Sequence, residues 1–241
     1  RYASMEQRGF SSTNCARLSE LGNDPHRGSQ ATTGSKKMFI DLGDMTPQQV
    51  YFTLTQTVIP RPIAWVLSEN ANASFNLAPF SYFNAISSNP PLMMISAGMK
   101  PEGGAKDTRD NIRDRHDFVI HIVSLDQLDA MNASSANLPP GESEVVKLGL
   151  ETTELEGSRL PRLASARVAF ACSLYDIQYI GPDPQSLILG QVHGVFVDDS
   201  VIGEDAKGRV KFLAGKIDPI GRLGGSEYVS FGELLSRRRP D

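Results

Sequence analysis

Two long β-rich segments, Arg167–Ile180 and Ser186–Asp198, flank the run Gly181-Pro182-Asp183-Pro184. Glycine and proline clustered in this way are a strong turn signal, and the segments on either side read as strands. The same pattern recurs upstream. Ile63–Ser68 reads as a short apolar strand with its turn over Glu69–Ser74. Phe80–Ile86 and Leu92–Ala97 read as strands around the Asn89-Pro90-Pro91 break, since proline excludes central-strand pairing there. Phe118–Val123 alternates as a half-buried strand does. Helical signals are short: Thr46-Pro47 opens one as N-cap and first helical residue, and Thr108–Arg115, Leu125–Ala136 and Glu142–Leu148 are the others. Strand–helix alternation of the doubly wound kind is missing. The expected fold class is therefore mainly β and antiparallel, with short helices inserted. Closing such a sheet into a barrel removes its exposed edges, so a barrel is the economical solution.

At 241 residues, 40% of them hydrophobic and 22% charged, the chain is long enough to bury a sizeable core. Residues 1–37 differ from the rest, being rich in Ser, Thr, Asn, Gly and Arg with only scattered apolar side chains. They read as a flexible leader or an added extension, with the folded unit expected over 38–241. A formal net charge of -4 gives no bulk attraction to nucleic acid or to an anionic membrane. The two cysteines, Cys15 and Cys172, are far apart and form no C-x-x-C, which excludes a disulfide framework and a cysteine-based metal site. A reducing, cytoplasmic setting fits this usage. The longest apolar stretches are strand-sized, too short to span a bilayer, and residues 1–20 lack a secretory apolar region.

Several chemistries are missing from the text of the chain. Neither common nucleotide fingerprint is present, and neither H-E-x-x-H nor G-x-S-x-G occurs. The four histidines (His26, His116, His121 and His193) lack metal-ligand spacing, and Asp198-Asp199 reads as a solvated turn at a strand end. Hydrolytic and metal-dependent classes lose ground accordingly.

A compact constellation lies between residues 58 and 111. It comprises Pro60-Arg61-Pro62-Ile63-Ala64-Trp65-Val66, Asn76-Leu77-Ala78-Pro79-Phe80-Ser81-Tyr82-Phe83, Asn89-Pro90-Pro91, Ser96, and Lys106-Asp107-Thr108-Arg109-Asp110-Asn111-Ile112. Lys106 precedes Asp107 and Thr108, either of which could cap the following helix. That groups a cation, a hydroxyl and free backbone N–H groups at a helix N-terminus, which suits a phosphate. Read alone, the segment equally describes a capped surface helix with a solvated lysine. The Asn76–Phe83 segment offers aromatic walls and polar groups of the sort a flat heteroaromatic ligand needs, or simply core aromatics of a strand. Arg61, held between two prolines, reads either as a ligand-positioning residue or as a surface ion-pair partner.

Taken together these segments resemble the flavin reductase-like family, whose members fold as FMN-binding split β-barrels. The pattern continues through Asp117-Phe118, Gly190-Gln191-Val192 and Arg222-Leu223-Gly224-Gly225-x-x-Tyr228, so it covers roughly residues 38–230. Gln191 stands where an acidic residue is common, His121 where Asn is common, and residues 1–37 have no counterpart. The resemblance implies that Arg61, Pro62, Asn76, Ala78, Pro79, Phe80 and Ser81 line the flavin. It implies that Ser96, Lys106, Asp107, Thr108 and Asn111 hold the ribityl chain and phosphate, and that Arg222, Gly225 and Tyr228 complete the pocket. Arg61 and His193 are the candidates for a catalytic role, with His193 more readily read as a satisfied core histidine. The implied cofactor is FMN, with FAD as an alternative, and the implied donor is NAD(P)H. A homodimer is expected, with electrons passing to free flavin, oxygen or a partner oxygenase. The alternative function is a non-catalytic FMN-binding electron carrier.

Overall fold

The structure is a computed structural model that describes residues 38–100, 103–182, 184–238 and 240. The leader expected over residues 1–37 lies outside the described residues. Gly43–Asp241 forms the compact unit, and Met38–Leu42 carries no helix or strand.

Helix α1 (Pro47–Thr57) opens the unit, and its start follows the expected cap. The Thr46 hydroxyl accepts from Gln49 N–H at 3.3 Å, and the Gln49 amide oxygen accepts from Thr46 N–H at 2.9 Å. This reciprocal pair satisfies two of the N–H groups a helix leaves open. Then come β1 (Arg61–Pro62), β2 (Ala64–Glu69), β3 (Phe75–Phe80), β4 (Phe83–Ser88) and β5 (Pro91–Ala97). Helix α2 (Asp107–Arg115) and strand β6 (Asp117–Ile122) follow, with α3 (Leu128–Ala133) and α4 (Glu144–Lys147) after them. The pair β7 (Thr152–Thr153) and β8 (Arg162–Leu163) precedes the long strands β9 (Val168–Ile180) and β10 (Gln185–Val197). The chain ends with β11 (Ile202–Glu204), β12 (Val210–Phe212), α5 (Ala214–Ile217), β13 (Gly221–Arg222) and β14 (Tyr228–Val229).

Seven strands form one sheet in the order β3-β2-β6-β9-β10-β5-β4, every neighbouring pair antiparallel. One apolar cluster draws on all seven: Val66, Phe80, Phe83, Ile95, Phe118, Cys172 and Ile188, joined by Ile112 of α2. The two edge strands can share a core only if the sheet curls around it, which is the barrel expected from the strand count. A second cluster lies on the other face, where Trp65, Leu67, Val119 and Ala171 pack under Met131 of α3, Val145 of α4 and Leu160. Strand β6 is thus buried on both faces, not on one as its alternation suggests. Beneath the Phe118 ring a side chain at residue 190 would collide, so Gly190 supplies the room, at an irregularity in the β9–β10 ladder.

Two local expectations change. The segment Phe80–Ile86 is not one strand but a corner at Ser81-Tyr82 between β3 and β4. Leu125–Ala136 is a single 3-10 turn followed by α3, which stops at Ala133. Outside the main sheet, β13 pairs with β1, matching Arg61 with Arg222, and β14 pairs with β13, giving a separate three-stranded sheet. No helix among the described residues is long and apolar enough to cross a membrane.

Candidate functional site

The corner between β3 and β4 projects Pro79, Ser81 and Tyr82 to one end of the barrel. Cavities on either side of it share walls and form a trough. One of about 340 Å³ is bounded by Tyr51, Pro79, Ser81, Ser96, Lys106 and Gln185. A second, of about 190 Å³, is bounded by Pro79, Ser81, Ser135, Arg222 and Tyr228. A third, about 60 Å³, lies at the far end between Asn76, Ala78, Lys106, Asp107, Thr108 and Glu144.

The small end is built on α2. Lys106 occupies the N-cap position and no side chain caps the helix, so neither Asp107 nor Thr108 plays the part expected of it. Asp107 is the first helical residue, and its carboxylate accepts from Lys100 Nζ at 2.8 Å. Thr108 is buried, and its hydroxyl accepts from Asn76 Nδ2 at 2.9 Å, which fixes α2 against β3. Arg109 N–H bonds the Lys106 carbonyl at 3.0 Å, so the N–H groups of Asp107 and Thr108 form the open, positive end of the helix dipole, with Lys106 beside them. Glu144 is buried on the opposite wall, its Oε2 accepting from Leu77 N–H at 2.8 Å. Burial raises its pKa, Asp107 adds to the rise, and the Leu77 hydrogen bond and Lys100 oppose it.

The wide part is walled from several elements. Tyr51 of α1 and Tyr82 of the corner face each other with ring centroids 6.2 Å apart. Burial first and Tyr51 second hold the Tyr82 hydroxyl above its usual range, so it stays protonated. Gln185, at the start of β10, donates to the Ser96 hydroxyl at 2.8 Å. On the far side Trp65 Nε1 donates to Ser134 Oγ at 2.9 Å, anchoring the loop that carries Ser135. The Tyr228 hydroxyl donates to Asn132 Oδ1 at 3.0 Å, and the Arg222 guanidinium lies 4.4 Å over the Tyr228 ring.

Of the expected site residues, Asn76, Ala78, Pro79, Phe80, Ser81, Ser96, Lys106, Asp107, Thr108, Arg222 and Tyr228 all border the trough, although the Phe80 ring belongs to the barrel core. Others do not. Arg61 is buried and makes no ion pair among the described residues; it lies in a hollow beside the trough, not in the trough's three cavities. Its guanidinium donates to the carbonyls of Thr55, Val58 and Leu223 and, at 3.4 Å, to the Ser81 hydroxyl. Arg61 thus clamps the end of α1, the corner and the tail together, and with Pro62 it borders that hollow, which adjoins the trough across Ser81, Tyr82 and Ser96. Asn111 is buried and donates to Asn70 Oδ1 at 2.8 Å and to Ser68 Oγ at 3.2 Å. Gly225 accepts from Arg222 in the turn before β14. His193 is neither a core histidine nor a wall of the trough; it is exposed, with Nε2 2.6 Å from Ser173 Oγ. The buried histidine is His121, which bonds the Trp65 carbonyl through Nδ1 and accepts Leu163 N–H at Nε2.

Tyr51, Gln185, Ser135, Lys100 and Glu144 were not anticipated. Gln185 follows a turn signal and Glu144 follows the Ser143 cap, but neither position announces that it meets the trough. No group of three or more His, Cys, Asp or Glu side chains among the described residues could hold a metal ion.

The donor set fits a flavin nucleotide: an uncapped helix N-terminus and a lysine at a small polar end, opening into a wider channel with aromatic walls and a polar edge. Comparison with known proteins agrees. Residues 56–214 match the flavin reductase like domain. Component B of nitrilotriacetate monooxygenase from Bacillus cereus is 33% identical and superimposes with a TM-score of 0.76, over 84% of this chain and 100% of that one. The 2-nitrobenzoate 2-nitroreductase of Pseudomonas fluorescens is 28% identical, with a TM-score of 0.75 over 84% and 96%. A split-barrel protein from Shewanella frigidimarina, 20% identical, shares the fold at a TM-score of 0.69 over 83% and 96%. The chain is a split-barrel member of the flavin reductase-like family.

Proposed function

We propose that the chain binds FMN along the trough and works as an NAD(P)H-dependent flavin reductase. Its electrons go to free flavin, oxygen or a partner oxygenase. The observation that carries the reading is the uncapped start of α2, with Lys106 and Thr108, opening into the same channel that Pro79, Ser81, Ser96 and Gln185 wall. The small size of the polar end favours the single phosphate of FMN over the longer diphosphate of FAD. Kinship with the monooxygenase component supports a partner oxygenase as acceptor.

When bound, the flavin supplies two-electron transfer from a nicotinamide to an acceptor. The protein binds and orients. Lys106 and the first-turn N–H groups of α2 hold phosphate, and the Asn76–Thr108 hydrogen bond keeps that turn in place. Ser81, Ser96 and Gln185 present polar groups to the ring edge, and Tyr51 with Tyr82 restricts water at the mouth. Arg61 acts at one remove, by positioning Ser81. No side-chain acid or base is required. A nicotinamide donor fits a cytoplasmic setting.

A homodimer belongs to the same proposal. Tyr51, Phe52, Leu54, Val58 and Ile59 are exposed on and just after α1, beside an apolar hollow of about 520 Å³. A second copy covering this face would bury them.

The test is anaerobic addition of NADH, then NADPH, to the FMN-loaded protein. Bleaching of the flavin band is expected. An unbleached band would overturn the reductase reading in favour of an electron carrier.

A further inference from the structure

We propose that Glu144 links occupation of the phosphate end to the uptake of one proton. The inference rests on the FMN reading above and assigns the carboxyl a role within that site.

Glu144 is held firmly. The Ser143 hydroxyl that precedes it donates to Phe75 O at 2.6 Å and accepts from Val146 N–H at 3.4 Å, which ties the start of α4 to β3. The residue is only 7% exposed. Its Oε2 receives Leu77 N–H, and the carboxyl borders the same cavity as Lys106 and Thr108. The charged groups facing it, among the described residues, are Lys100 from the loop after β5 and Lys106 and Asp107 from the start of α2. Neither β3 nor the 134–138 loop contributes one, and Glu142 and Lys147 near the same helix are exposed. Lys100 and Asp107 pair with each other at 2.8 Å. Lys100 and Asp107 therefore act on the Glu144 carboxyl in opposite directions, and Lys106 is the remaining cation bordering the cavity.

A phosphate dianion entering this cavity would meet a carboxylate in a poorly solvated wall, where like charges repel strongly. A proton taken from solvent removes the conflict. Oε2 keeps its hydrogen bond from Leu77, and the other oxygen becomes a hydroxyl able to donate to a phosphate oxygen. Nothing else forms or breaks. Burial already favours the neutral carboxyl in this direction.

The experiment is a fluorescence titration with FMN, and separately with riboflavin, from about pH 5.5 to about pH 8, on wild type and Glu144→Gln. Glutamine keeps an oxygen for Leu77 N–H and cannot ionise. The wild-type dissociation constant for FMN should rise with pH relative to the variant, by up to roughly tenfold per pH unit once the free carboxyl is ionised. The phosphate's own titration is common to both proteins and cancels in the ratio. Riboflavin, which lacks phosphate, should show no such divergence. Parallel FMN profiles would overturn the proposal while leaving the FMN reading intact. Absence of FMN binding at every pH would overturn both. Should Glu144→Gln misfold, calorimetry of wild type with FMN in two buffers of different ionisation enthalpy decides the matter. Net proton uptake supports the proposal. Zero uptake or net release, the sign expected from phosphate settling against Lys106 alone, contradicts it.

Discussion

In the proposed FMN site Lys106 and Thr108 have different parts, and their variants should fail differently. Lys106→Ala removes a charge-assisted contact worth about 1.5–3 kcal/mol, so FMN affinity should fall by roughly tenfold or more with little change in stability. Thr108→Val leaves the buried Asn76 amide short of an acceptor, so it should cost stability, about 1–3 kcal/mol in urea unfolding, as well as affinity. His121 makes a pH prediction. Fully buried, with Leu163 N–H pointed at Nε2, its ring has no place for a second proton, and desolvation pushes its pKa down to about 4. The unfolded chain takes up that proton near the usual value of about 6.5. Stability from this site is therefore complete above about pH 6.5 and is lost as pH falls towards 4, by about 3 kcal/mol in all. Urea unfolding of His121→Asn should show a correspondingly shallower acid loss; the same slope as wild type would refute the assignment. Much at this scale was legible, because Lys106, Thr108, Asn76 and the Pro79–Ser81 run lie close in sequence and carry their chemistry openly. Tyr51, Gln185 and Glu144 were not legible. They come from three distant elements, and only the curling of the sheet and the docking of α1 and α4 bring them to one channel.

The long β9–β10 pair and the α1 cap could be read from local rules, since a Gly-Pro turn and a capping box are each specified within a few residues. The β3–β4 corner could not, because the apolar pattern runs through Ser81-Tyr82 without interruption. Strands β13 and β14 are two residues each, too short for any period to register. What holds them is tertiary: β1 supplies the ladder, and Arg61 bonds the Leu223 carbonyl at 2.8 Å. Arg61→Ala should therefore leave three carbonyls without their donor and destabilise the protein by roughly 2–4 kcal/mol. Arg61→Lys should restore only part of that, since one ammonium cannot span the same acceptors. At the centre of the sheet, Gly190→Ala should cost about 1–3 kcal/mol by crowding the Phe118 ring. Pairing it with Phe118→Leu should recover part of the loss, and additive losses in urea unfolding would count against the close contact.

For the whole molecule, the barrel brings the uncapped start of α2, an aromatic mouth and the C-terminal Arg222–Tyr228 pair to one trough. The family pattern in the sequence anticipated this gathering, whereas composition and period predicted only a mainly β fold. The exposed apolar run along α1 predicts a dimer in sedimentation equilibrium, and Phe52→Glu should shift it towards monomer; a wild-type monomer at high concentration would refute the proposed interface. The decisive measurement is an equilibrium titration of the purified protein with FMN, followed by flavin fluorescence and repeated on Lys106→Ala. Saturable binding of one FMN per chain, weakened roughly tenfold or more by the substitution, is the expected result. Absence of binding, or binding indifferent to Lys106, would contradict the assignment of the trough.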